Sequence, residues 1–167
     1  MNFRIYSIRY GFTQHFTVPA RKAYDWCTDY KPYDLSLMRL EGSRRIRKLT
    51  DDAILLSGTT FANGKAVKKT KLVRLNRRRL SWSNTHLSGP FLNSQFLYQM
   101  SPVGKNRSKL KFDGLLLVYS PVRLSRDKIR RIAKQERQQD STSWRHLAKA
   151  MAEEVRKISF QKFMNSN

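Results

Sequence analysis

One stretch limits the possible folds more than any other. From Ser125 to Phe160 the chain contains neither Gly nor Pro. Its apolar residues recur as Ile129, Ile132, Ala133, Trp144, Leu147, Ala148, Met151, Val155 and Ile158. At about 100° per residue, Ile129 and Ile158 fall within about 20° of each other around a helix axis. Ser125 is the expected N-cap, with Asp127 in the first turn at the positive end of the dipole. A helix of this length, roughly 50 Å, needs a large apolar partner surface. Its stripe is interrupted by Glu136, Gln139, Asp140 and Ser143. That gap is either a kinked, solvated segment or a segment over the mouth of a pocket, in reach of a ligand head group.

The rest of the chain supplies the partner as strands. Phe3 to Val18 alternates, with Tyr6, Ile8, Tyr10, Phe12, Phe16 and Val18 on one parity. Pro19 to Thr28 reads as a short helix opened by Pro19 and broken at Asp29-Tyr30-Lys31-Pro32. Tyr33 to Met38 adds another helical turn. Six strands follow: Ser43–Leu49, Ala53–Phe61, Ala66–Leu75, Leu80–Leu87, Leu92–Met100 and Ser108–Tyr119. Short turns join them, including Asn63-Gly64, a pair that tolerates positive φ. Gly114 in mid-strand points to a bend or a bulge. Regular spacing with short turns means an antiparallel meander. A sheet of seven strands curls, and only the terminal helix is long enough to cover its dry face.

The order of elements, together with the stretch His15-Phe-Thr-Val-Pro-Ala-Arg-Lys-Ala-Tyr-Asp-Trp-Cys-Thr-Asp-Tyr30, resembles the START-like (SRPBCC) helix-grip superfamily. That superfamily includes polyketide cyclases, coenzyme Q-binding proteins and lipid-transfer domains. The resemblance covers Phe3 to about Ile158. It implies an α+β helix-grip fold: a curled seven-stranded antiparallel sheet wrapped around a long C-terminal helix, with two short helices after the first strand. It also implies a hydrophobic cavity roofed by that helix. Residues 1–160 are expected to form one domain, with 161–167 as a tail.

Strand parity nominates the cavity residues Tyr6, Ile8, Phe12, Trp82, Asn84, His86, Phe96, Tyr98 and Phe112. Trp144, Leu147 and Met151 would face them from the helix. This inner face reads as mostly apolar, with Asn84, His86, Glu136 and Asp140 its polar members. His86 either orients a ligand or moves a proton, or is a hydrogen-bonded histidine at a strand end.

Charge is the outlying property: 34 Lys and Arg against 12 Asp and Glu, a net +22. Such a balance favours anionic partners. The expected basic surface is Lys68, Lys69, Lys71, Arg77, Arg78, Arg79, Arg130 and Arg131. Lysines on both parities of the strand at Lys68–Lys71 point to an edge or an entrance. Anionic membrane and nucleic acid both fit such a surface, but no nucleic-acid-binding motif accompanies it.

Cys27 is the single cysteine, which excludes an intrachain disulfide and reads as a buried, inert thiol. The three histidines are far apart, no metal-ligand spacing occurs, and no cofactor is expected. Met1 to Phe12 lacks a signal-peptide core, and no apolar run is long enough to span a bilayer, so a soluble cytoplasmic protein is expected. The favoured reading is a non-enzymatic binding or carrier protein for a hydrophobic or amphipathic small molecule (a lipid, quinone or polyketide-like ring). The alternatives are a nucleic-acid-binding module and a cyclase or aromatase with His86 as its proton carrier.

Overall fold

A computed structural model describes residues 3–62 and 64–165. Met1, Asn2, Asn63 of the expected Asn63-Gly64 turn, and Ser166 and Asn167 of the expected tail lie outside the described residues. The elements run β1 (Arg4–Phe16), α1 (Ala20–Thr28), α2 (Asp34–Leu37), β2 (Gly42–Thr50), β3 (Ala53–Ala62), β4 (Lys65–Asn76), β5 (Ser81–Ser88), β6 (Gln95–Pro102), β7 (Ser108–Ser120) and α3 (Arg126–Met164). The order is that of the sequence reading. The seven strands form one curled antiparallel sheet in the order β1-β7-β6-β5-β4-β3-β2.

The edges are therefore β1 and β2. β4, with lysines on both faces, is an inner strand. The edge reading of those lysines fails, because β3 and β5 occupy both sides of β4. The bulge expected at Gly114 is absent too. β7 pairs without interruption through it, opposite Tyr10 on one side and Phe96 on the other. The glycine serves packing instead: a Cβ there would lie 3.0–3.1 Å from the rings of Phe112 and Tyr10. A register shift does occur between β4 and β5. Thr70 pairs with Ser88 and Lys71 with His86, leaving Leu87 as an extra residue. Such a bulge bends the strand and re-aims its side chains.

Alternation places Ile8, Trp82, Phe96, Tyr98, Met100, Leu110, Phe112 and Leu116 on the buried face, where α3 contributes Trp144, Leu147, Ala148 and Met151. At the β1–β7–β6 side this face is packed solid with aromatic rings. Phe12 stacks on Phe112 at 4.7 Å, and Tyr10 meets Phe112 at 5.4 Å and Phe96 at 6.3 Å. Rings of this size bury large apolar areas in offset and edge contacts.

α3 begins as its sequence requires, with Lys128 N–H donating to Ser125 Oγ at 3.2 Å. It runs unbroken through the polar gap, where the Ser141 and Ser143 hydroxyls donate back to the carbonyls of Gln138 and Gln139. It also passes the expected end at Phe160 and continues to Met164. Among the described residues no helix is long and apolar enough to cross a membrane.

Candidate ligand cavity

At the β2–β5 side the sheet and α3 do not close on each other. A cavity of about 230 Å³ remains between the inner faces of these strands, α2 and the middle of α3. Its apolar wall is Trp82, Trp144, Leu147, Leu56, Leu35 and Cys27. Trp82 stacks on Tyr98 at 4.8 Å, and Trp144 lies 5.6 Å from Tyr98. Met38, Leu40 and Phe61 extend this wall, and polar groups interrupt it, among them Tyr30, Asp34, Glu41, Arg44, Lys69, Lys71, Asn84, Gln139, Asp140 and Ser143.

Local structure puts these groups there. Tyr30 follows the end of α1 with φ of 50°, a left-handed conformation that usually falls to Gly at a helix end. In that conformation its ring is buried and its hydroxyl donates to Asn84 Oδ1 at 3.3 Å. Asn84 Nδ2 in turn donates to the Tyr98 hydroxyl at 3.4 Å. Arg44 on β2 pairs with Asp34 on α2 at 3.7 Å and lies over the Tyr30 ring at 5.6 Å. From α3, Asp140 Oδ2 accepts a 2.7 Å hydrogen bond from the Tyr10 hydroxyl. Gly58 lets β2 come close, since a Cβ there would sit 2.3 Å from the Ser43 carbonyl oxygen.

Burial dominates the electrostatics. It pushes Asp34 up to about 6, helped by Asp29 and opposed by Arg44. It raises Asp140, against the Tyr10 hydrogen bond and the charges of Lys71 and Lys69. It lowers Lys71 to about 8, with Lys69 adding repulsion. The Cys27 thiol is driven well up by burial and stays neutral.

No protein-family model matches this sequence, and no curated protein matches it. Solved structures do. The Zhui aromatase/cyclase from Streptomyces sp. R1128 superposes with a TM-score of 0.75 at 12% identity, covering 90% of this chain and 96% of that one. A START superfamily protein from Mycobacterium smegmatis gives 0.63 at 15% identity, covering 90% and 98%. Ara h 8.0201 gives 0.66 at 13% identity, covering 89% and 99%. This chain has the START-like helix-grip fold. At these identities the likeness is one of fold, and a fold of this kind does not by itself name an activity.

Within the helix grip, the nominated residues separate into two groups. Trp82, Asn84, Tyr98, Trp144 and Leu147 line the cavity. Ile8, Phe96, Phe112 and Met151 are buried in the solid core, and Phe12 stacks on Phe112. Tyr6 lies at the far end, its hydroxyl accepting from Leu124 N–H at 2.9 Å.

His86 is buried between the rings of Phe91 and Phe96, with neither ring nitrogen hydrogen-bonded. Burial and then the lysine charges lower it to about 3. It is outside the cavity lining and is held neutral, so proton transfer near neutral pH does not suit it.

Of the basic residues, Lys68, Arg77, Arg78, Arg79, Arg130 and Arg131 are exposed. Lys69 and Lys71 instead point inward, because they share the parity of buried Val73 and Leu75. That parity was readable in the sequence. The Tyr30 and Arg44–Asp34 contributions were not, since they depend on α2 packing beside β2. Among the described residues no group of three or more His, Cys, Asp or Glu side chains gathers to hold a metal.

Proposed function

We propose that this protein binds or carries a hydrophobic or amphipathic small molecule in the cavity between its sheet and α3. The observation that carries the reading is the cavity itself, about 230 Å³ roofed by α3 and walled by Trp82, Tyr98 and Trp144. Ligand pockets of drug-sized molecules run from about 300 Å³ upward. This volume therefore suits a ligand of one or two rings better than a long acyl chain or an extended polyketide. Affinity would come from apolar burial at roughly 25 cal/mol per Å², with Tyr30, Asn84 and Gln139 setting orientation. The likeness to an aromatase/cyclase and to a START superfamily protein is compatible with this use of the fold. Turnover has less support than binding, because His86 is sealed away from the cavity. The exposed arginines Arg77–Arg79 and Arg130–Arg131 would draw anionic molecules or surfaces toward the protein by long-range attraction, in a cytoplasmic setting.

Native mass spectrometry of the purified protein tests the reading. A bound organic molecule released on denaturation is the expected result. An empty protein whose melting temperature is unmoved by any member of a panel of one- and two-ring aromatics would overturn it. Salt-resistant binding of duplex DNA at about 150 mM salt would favour the nucleic-acid reading instead.

A further inference from the structure

The cavity has two unlike ends. Along the inner face of β4 the side chains run Leu75, Val73, Lys71, Lys69. Along α3, facing them, they run Leu147, Trp144, Asp140 and then Glu136. Register carries the same gradient onto β5, where Leu75 pairs with Trp82, Val73 with Asn84 and Lys71 with His86. One end is aromatic, and the other sets Lys69 and Lys71 of β4 across from Asp140 and Glu136 of α3.

The lysines at this end make no direct ion pair with a described residue. Among the described residues neither Lys69 nor Lys71 has a carboxylate within 4 Å. Lys69 Nζ lies 5.9 Å from the centre of the Phe91 ring. Of the nearby acids, Asp34 pairs with Arg44 and Asp140 with the Tyr10 hydroxyl, while Asp140 and Glu136 act on the lysines only through longer-range attraction. Arg44 adds a third positive group in the same row of the sheet, opposite Gly58, which is itself opposite Lys69.

Two ammonium groups on one face of one strand repel each other, and enclosing them costs further free energy when no counter-ion is supplied. Lys71 and His86 are each displaced toward the neutral form, first by burial and then by the neighbouring lysine charge. Apolar residues in place of the two lysines would continue the stripe of Val73 and Leu75 and favour the empty protein. The bulge at Leu87 of β5 lies directly opposite the Thr70–Lys71 step of β4. The arrangement is unfavourable for folding alone and suited to holding an anion.

Resting on the reading of the cavity as a small-molecule site, we infer that its ligand is an aromatic anion of one or two rings, with its oxyanion between Lys69 and Lys71 and its ring against Trp82 and Trp144. A carboxylate, an acidic enol and a phenolate share the required chemistry.

The test compares 2-naphthoate with 2-naphthamide, which match in size and differ in charge, by calorimetry on the intact protein at pH 7. Naphthoate should bind at least about tenfold more tightly. The Lys69→Met/Lys71→Met double variant should bind both equally and melt at a higher temperature than the parent, an increase that a purely structural role for the lysines would reverse. Lys71→Arg should keep the preference for naphthoate. Equal affinities in the parent would overturn the inference and leave the small-molecule reading standing. A preference that survives in the double variant would also overturn it, by placing the attraction on the outer basic groups. Binding of neither probe would overturn the inference, and the small-molecule reading would then be decided by native mass spectrometry and the aromatic panel.

Discussion

The Tyr10 hydroxyl, in the middle of β1, donates a 2.7 Å hydrogen bond to Asp140 Oδ2 on α3, 130 residues further along the chain. This contact joins the solid half of the grip to the open half. Tyr10 packs on Phe112 and Phe96, whereas Asp140 lines the cavity. Tyr10→Phe removes the donor and leaves a buried carboxyl without it. Loss of a hydrogen bond to such a group costs about 1.5–3 kcal/mol, to be read in urea unfolding at pH 7. Asp140→Asn should cost less and should tighten 2-naphthoate binding, because it removes the negative charge nearest the lysines. Weaker naphthoate binding by Asp140→Asn would contradict the placement of the anion.

Lys71 should set an alkaline limit on anion binding. Its folded pKa of about 8 lies below the ordinary 10.5. The groups facing it are Lys69 on β4, Arg44 on β2, His86 on β5 and Asp140 on α3, with Glu136 close to Lys69. Naphthoate affinity should be level near pH 7 and fall as pH rises through about 8. Stability should move the opposite way. Below about 8 the ammonium is charged in both folded and unfolded chains and its burial is fully unfavourable. Between about 8 and 10.5 the folded chain binds fewer protons than the unfolded chain, so stability rises with pH. Unfolding titrations of the parent and Lys71→Met should differ most below pH 8 and converge above 10.5.

His86 contributes to acid sensitivity. It is lowered from 6.5 to about 3 by burial and by Lys71 and Lys69. Above pH 6.5 it is neutral in both states and has no effect. As pH falls from 6.5 toward 3 the unfolded chain takes up the proton first, so stability drops. His86→Leu keeps the contacts with Phe91 and Phe96 and removes this titration. Its melting temperature should fall less than the parent's between pH 6.5 and pH 4. Parallel curves would show that His86 is protonated in the fold at little cost.

Gly58 is required by the approach of β2. A Cβ would lie 2.3 Å from the Ser43 carbonyl oxygen and 3.5 Å from Arg44 Cα. Gly58→Ala must push backbone rather than a flexible side-chain end. A loss of about 1–3 kcal/mol is expected, measured by urea unfolding, together with weaker naphthoate binding as Arg44 and Lys69 shift. Unchanged stability would mean that β2 moves freely against β3.

Alternation and helical periodicity were enough to reach the ten elements, the buried parity of β1, β5, β6 and β7 and the capped start of α3, since each depends on neighbours a few residues apart. The polar gap at Gln139, Asp140 and Ser143 was also visible as a choice between a solvated kink and a pocket mouth. Two readings failed for want of lateral information. Gly114 looked like a bulge because a missing side chain does not reveal whether rings fill its place. The lysines of β4 pointed to an edge or an entrance, and the edge fails because the final position of a strand in a sheet depends on pairing partners far along the chain.

By itself, the sequence determined the order of elements, the long helix that must cover a sheet, and the dry face of β1, β5, β6 and β7, because these follow from the order of residues along single elements. Only the tertiary structure decided which half of that face is filled and which is open. Phe12, Tyr10, Phe96 and Phe112 come from β1, β6 and β7 and close on one another around Gly114. Around Lys71 the lining from β2, β4 and α3 is polar and charged, and a cavity remains. Parity states that a side chain points inward. Its meeting a ring, a charge or empty space depends on residues brought beside it from distant parts of the chain.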